Sequence, residues 1–187
     1  MLAIALAMGL YVWRVRGQAH GFENPPANAQ PVGPPASGPT EQVTLYVAYD
    51  DPGALRPRTA SIPLPAGRQQ RAQELLRALL TIYLDKSSPH PLPAGSEIRD
   101  VYLVDPGLAV IDLNAAFADG HRSGVLVEEL TLASLVETVA ANVPGVTRVK
   151  VLVDGHQRDT LAGHVDLTNF FDMASVNQLV AQLQGPG

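Results

Sequence analysis

The sequence predicts an α/β (α+β) sandwich: a mixed β-sheet with two long helices packed on one face. Three observations predict it. Ser123–Gly155 reads as a long helix, a tight turn and a strand in unbroken succession. Ile98–Asn114 reads as a β-hairpin, and Arg68–Leu84 carries a second apolar helical stripe. A helix that lands directly on a strand needs a sheet to lie against, and strands interleaved with long helices build a layered domain.

The central stretch fixes the most. Val125, Leu132, Leu135, Val136, Val139 and Val143 recur at helical spacing and predict one apolar stripe. Ser123 is the expected N-cap, with Glu128 and Glu129 near the positive end of the helix dipole. Pro144-Gly145 stops the helix. In the following TRVKVLV, Thr147, Val149, Val151 and Val153 face one way and Arg148 and Lys150 the other, the alternation of a half-buried strand.

The remaining elements follow in chain order. Residues 1–16 begin with an apolar run, Met1–Trp13, that Arg14 and Arg16 close. It is shorter than the roughly 20 residues of a spanning helix. We expect a membrane anchor or signal-like segment whose remaining apolar and basic residues lie upstream of Met1; the alternative is a packed terminal helix. Residues 17–42 hold six prolines between Asn24 and Thr40, the composition of an extended linker.

The folded domain is expected over residues 43–172. VTLYVAY opens it as a strand, and Asp50-Asp51-Pro52-Gly53 is a turn. Pro57, Pro63 and Pro65 confine Leu55–Pro65 to an edge strand or irregular arm. In the first helix Ala72, Leu75, Leu76, Leu79 and Tyr83 form the stripe. Three prolines make Asp85–Gly95 a loop, and Asp105-Pro106-Gly107 suits a type II turn between hairpin strands. Asn114–Arg122 is a polar connection, Gly155–Phe171 a turn with a short returning strand, and residues 173–187 a short terminal helix and tail.

Several of these stretches together resemble the GerMN domain family of sporulation and spore germination proteins. They are VTLYVAY, the helix ending in LLRALL, PLPAGSEIRDVYLVDPGLAVIDLNAAF, SGVLVEELTLASLVETVAANVPGVTRVKVLVDG and TLAGHVDLT. The resemblance spans about residues 43–172 in the expected order. It implies a non-enzymatic, extracytoplasmic module, membrane-anchored at the bacterial envelope, that helps assemble envelope complexes. It also implies a structural closing motif at Gly163, His164 and Asp166. This chain departs from the family pattern in having a single copy and no lipid-attachment cysteine.

Composition narrows the chemistry. A net charge of −5 and the absence of basic runs interleaved with aromatics argue against nucleic acid. With no cysteine there is no disulfide, thiolate nucleophile or Cys-ligated zinc. No G-x-S-x-G motif presents a serine, and capping accounts for Ser123 beside His121-Arg122. Glu128 and Glu129 are adjacent, so they point about 100° apart on a helix and do not pair as glycosidase acids. Surface solvation accounts for them and for Glu137.

Asp154, His156, Asp159, His164 and Asp166 crowd the end of the domain, but their spacing fits neither H-E-x-x-H nor an EF-hand loop. No Gly-Lys pair supports phosphate binding. We therefore expect no catalytic residue, metal or cofactor. The candidate partner surface is Leu126, Leu130 and Ala141, which lie off the central helix's stripe, with Arg148, Lys150 and Leu152 on the outer face of the last strand. The arm near Leu55–Leu64 is a further docking edge. The expected partners are envelope proteins or copies of the chain itself, with the membrane reached through the N-terminal segment. The rival reading is a peptidoglycan hydrolase or its regulatory, glycan-binding subunit.

Overall fold

The computed structural model describes residues 38–104, 106–172, 174–176 and 178. The expected anchor, most of the linker and the greater part of the terminal helix lie outside them. Among the described residues the elements run in the order β1 (Thr40–Tyr49), β2 (Ala54–Pro63), α1 (Arg68–Leu84), β3 (Ile98–Val104), β4 (Leu108–Leu113), α2 (Ala115–Asp119), α3 (Val125–Asn142), β5 (Arg148–Val153) and β6 (Phe171–Asp172).

The fold class is the predicted one, but the strands divide into two sheets. β1 and β2 form an antiparallel pair, and β3-β4-β5-β6 form a mixed sheet. β3 and β4 are antiparallel, as the hairpin pattern requires. β4 and β5 are parallel, so the chain between them must cross over, and α2 and α3 form that crossover. Gly107, in the β3–β4 turn, has φ +72, the left-handed conformation that suits glycine. A Cβ there would lie 2.6 Å from Thr147 Oγ1, so glycine also lets the turn close against the start of β5.

One main core joins the layers. α3 lies against β1, α1 against β3, and the two helices touch. The whole predicted stripe of α1 is buried, as are Leu132, Leu135, Val136, Val139 and Val143 of α3. Val125 is the exception: it is 54% exposed. The α3 N-cap is Gly124, not Ser123, and no side chain caps it. The polar connection after β4 contains α2, a helix too short to leave a periodic signature; the Asn114 side chain caps it by accepting from the Phe117 N–H at 3.0 Å.

β1 has two unlike edges. One pairs with β2. The other meets α3, whose side chains stand in for a missing strand. Thr138 Oγ1 accepts from the Tyr46 N–H at 3.0 Å, and Ser134 Oγ donates to the Tyr46 carbonyl at 2.6 Å. The Asn142 amide donates to the Thr44 carbonyl at 2.7 Å and accepts from the Thr44 N–H at 3.4 Å. The Tyr83 hydroxyl of α1 accepts from the Ala48 N–H at 2.8 Å. A strand edge with open donors and acceptors is thereby sealed.

Candidate functional site

Among the described residues, three internal assemblies gather buried polar side chains around Glu128, around His90 and His121, and around Lys150. The first is centred on Glu128. Sequence reasoning leaves this side chain in solvent near the helix dipole; it is fully buried. Its Oε1 accepts from the Gly124 N–H at 3.2 Å and from His164 Nδ1 at 2.9 Å. Its Oε2 accepts from the N–H groups of Ala162, His164 and Val165 at 3.1, 3.1 and 2.9 Å. Burial pushes the Glu128 pKa up, but these donors outweigh it and hold the carboxyl at about 2.

The carboxylate therefore pins the loop that follows β5 to the start of α3. Gly163 supplies the turn at φ +114, and His164 meets Glu128. Asp166 accepts from the backbone N–H and hydroxyl of Thr168, both at 2.6 Å, which turns the chain toward β6.

The second assembly is a buried chain of imidazoles. His90 Nδ1 is 2.6 Å from Asp50 Oδ1, and its Nε2 is 2.6 Å from Thr131 Oγ1. His121 Nε2 reaches the same Oγ1 at 2.8 Å, and its Nδ1 lies 2.8 Å from the Arg122 carbonyl. Arg122 ion-pairs with Asp50 at 2.8 Å. Sequence reasoning missed this group, whose members lie on the β1–β2 turn, the loop before β3, the α2–α3 connection and α3.

The third assembly is centred on Lys150. Its Nζ donates to the carbonyls of Leu167 and Thr168 at 2.6 and 2.7 Å and sits 5.8 Å from the Phe170 ring centroid. Burial pulls its pKa below the usual lysine range, while Asp166 acts the other way.

The expected partner surface needs correction at three positions. Leu130 is 1% exposed, because α3 is enclosed on more sides than one stripe allows. Lys150 is buried as just described. Leu152 packs with Leu108 and Val110 in a small cluster on the sheet face away from the main core, so β5 is covered on both faces. Leu126, Ala141 and Arg148 are exposed. Arg148 stacks over Phe170, 5.5 Å from its centroid. Leu126, 46% exposed, and Val125 border a depression of about 370 Å³ whose rim carries Asp50 and Arg122.

None of these assemblies has the geometry of a hydrolytic site. Ser123 Oγ lies 3.3 Å from His164, but on the same Nδ1 that Glu128 occupies, so no acid–base relay passes through the ring. Asp50–His90–Thr131 has the relay connectivity, but the Thr131 hydroxyl is fully buried, enclosed by His90, His121 and the Val127 carbonyl. Among the described residues no three His, Cys, Asp or Glu side chains are grouped to hold a metal. The same residues include no helix long and apolar enough to cross a membrane.

The geometry defines a class before a family: an α+β scaffold whose buried polar and charged side chains tie loops and strand edges together. The chain belongs to the Germane family of sporulation and spore germination domains, which matches residues 44–159. Among solved structures it is similar to a candidate lipoprotein of Clostridium perfringens, with a TM-score of 0.50 and 19% identity over 79% of this chain and 96% of that one. It is also similar to the first GerMN domain of the sporulation protein GerM from Bacillus subtilis, with a TM-score of 0.52 and 16% identity over 72% and 98%. The tandem GerMN domains of that protein align at 0.52 and 18%, over 69% of this chain and 44% of theirs. No curated protein matches the sequence.

Proposed function

We propose that this chain is a non-enzymatic assembly module of the bacterial envelope, held at the membrane by its N-terminal segment and docking envelope proteins or further copies of itself. The observation that carries this reading is a contrast within the domain. The Glu128 carboxylate, the His90 and His121 imidazoles and the Lys150 ammonium are engaged in internal ties, whereas Val125 and Leu126 stand exposed at the head of α3 beside a charged pair. Large apolar side chains rimmed by polar groups are what a docking surface offers. The family and the likeness to a candidate lipoprotein support an envelope setting. The proline-rich stretch before β1 supplies reach.

The test is capture from solubilised envelope with the full chain as bait, compared with Leu126→Asp and Val125→Asp variants of unchanged circular dichroism. Loss of a specific captured partner, or of self-association, in both variants is the expected result. Turnover of peptidoglycan by the purified full chain, abolished by replacing one carboxylate or histidine, would end this reading in favour of a hydrolase.

A further inference from the structure

The imidazole chain has a proton count that its geometry does not close. Both nitrogens of each ring have a partner, so a flipped ring would exchange polar contacts for C–H contacts, and the ring orientations are fixed. The links are Asp50 to His90, His90 to Thr131, Thr131 to His121 and His121 to the Arg122 carbonyl. Each link needs one proton. The two ends, a carboxylate and a carbonyl, only accept. Two neutral imidazoles and one hydroxyl supply three protons for these four links. The neutral chain therefore sets two lone pairs face to face at one Thr131 contact. The Val127 carbonyl, 2.9 Å from the same hydroxyl, is a further acceptor but does not depend on it, since it lies inside α3 and takes the backbone N–H four residues on.

We propose that this chain is a one-proton switch: one proton, shared by His90 and His121 and balanced by Asp50, closes all four links, and its loss opens one link at Thr131. The surroundings set where it operates. From α1, Tyr83 meets His90 edge-on at 5.2 Å, with its hydroxyl turned to Ala48 and Ser134. From α2, Phe117 stacks on His121 at 6.1 Å. From α3, Glu128 favours the charged form of His121, and Arg122 opposes it at both rings. Burial is the largest influence and pulls both imidazoles below the ordinary histidine range, so the switch works on the acid side of about pH 6.5. Asp50 and Arg122 also border the depression beside Leu126, which places the switch against the proposed docking face. The switch requires no partner, however, and stands or falls on the isolated protein.

The experiment is a pH titration of the full chain carrying ¹⁵N-labelled histidine, followed through the side-chain resonances of His90 and His121. One proton taken up at a midpoint common to both rings is expected. Asp50→Asn should move that midpoint down by about one pH unit. Thr131→Val should split it into two unequal midpoints, whereas Thr131→Ser, which keeps the hydroxyl, should preserve it. Two protons taken up independently in the wild type, no uptake before acid unfolding, or separate midpoints in the serine variant would each overturn the proposal. The Asp50 variant lies on a partly exposed turn and keeps the test open if the valine variant fails to fold.

Discussion

The two halves of α3 satisfy backbone outside their own helix in opposite ways. The C-terminal half presents Ser134, Thr138 and Asn142, all neutral, to the free edge of β1. The N-terminal half presents the Glu128 carboxylate to the loop around Gly163. The difference follows from what each neighbour offers. A strand edge shows N–H and C=O groups side by side, and hydroxyls and amides can meet both. The loop turns several N–H groups toward one point, and an acceptor-only carboxylate fits that demand. Charge-assisted bonds are the stronger kind, so the clamp should be both the costlier to remove and the one that senses pH.

The largest expected effect is at the clamp. Glu128→Ala leaves the N–H groups of Ala162, His164 and Val165 without their acceptor and should destabilise the domain by about 3–5 kcal/mol in urea unfolding. The sign with pH is fixed by the depressed carboxyl. The unfolded chain takes up a proton near the ordinary 4.5, while the folded clamp resists protonation until about pH 2. The clamp's stabilisation is therefore present above pH 4.5 and is lost as pH falls from 4.5 toward 2, by about 3 kcal/mol in total. Glu128→Gln should lack that part of the acid dependence. An identical acid profile in wild type and variant would show that the carboxylate is not held as described.

The neutral seam should give a smaller and pH-independent loss. Thr138→Val keeps the shape and removes the acceptor of the Tyr46 N–H. A cost of about 1–2 kcal/mol is expected. It should come with faster hydrogen exchange at the Tyr46 amide and no change in the acid limb. If the Tyr46 amide remains fully protected, α3 is not what seals β1.

How much of this could be read from the chain depends on what kind of partner a residue has. Apolar periodicity located α1, the core stripe of α3 and the β3–β4 hairpin, because burial of one face leaves its period in the sequence. Alternation also places Lys150 and Leu152 on one face of β5, but it cannot say what covers that face: Leu152 packs on β4 residues, and a later segment meets Lys150 through the carbonyls of Leu167 and Thr168. Glu128 looked solvated because its acceptors' partners lie 34 to 37 residues further on. A signal for the seam was present. Thr131, Ser134, Thr138 and Asn142 recur at helical spacing within an apolar helix, and a polar stripe on a buried helix implies polar groups opposite it. His90 and His121 had no such signature, since only the fold brings them to Thr131.

The smallest effect on stability, and the sharpest use of the contrast, concerns the outer edge of the same hairpin. The Tyr46 N–H and C=O are both taken by α3, so Pro57, its cross-strand partner, has its backbone turned away from β1. Pro63, opposite Thr40, shares that parity. Both prolines therefore stand where a free N–H would otherwise invite another strand, so this edge is quieted by deleting donors and not by covering them. Pro57→Thr with Pro63→Thr should leave monomer stability within about 1 kcal/mol. It should raise concentration-dependent self-association in sedimentation above that of the wild type. Unchanged association, together with an ordered β2, would mean that the arginines flanking Pro57, Arg56 and Arg58, are what keep the edge apart, and replacing those two residues would then be the variant that associates.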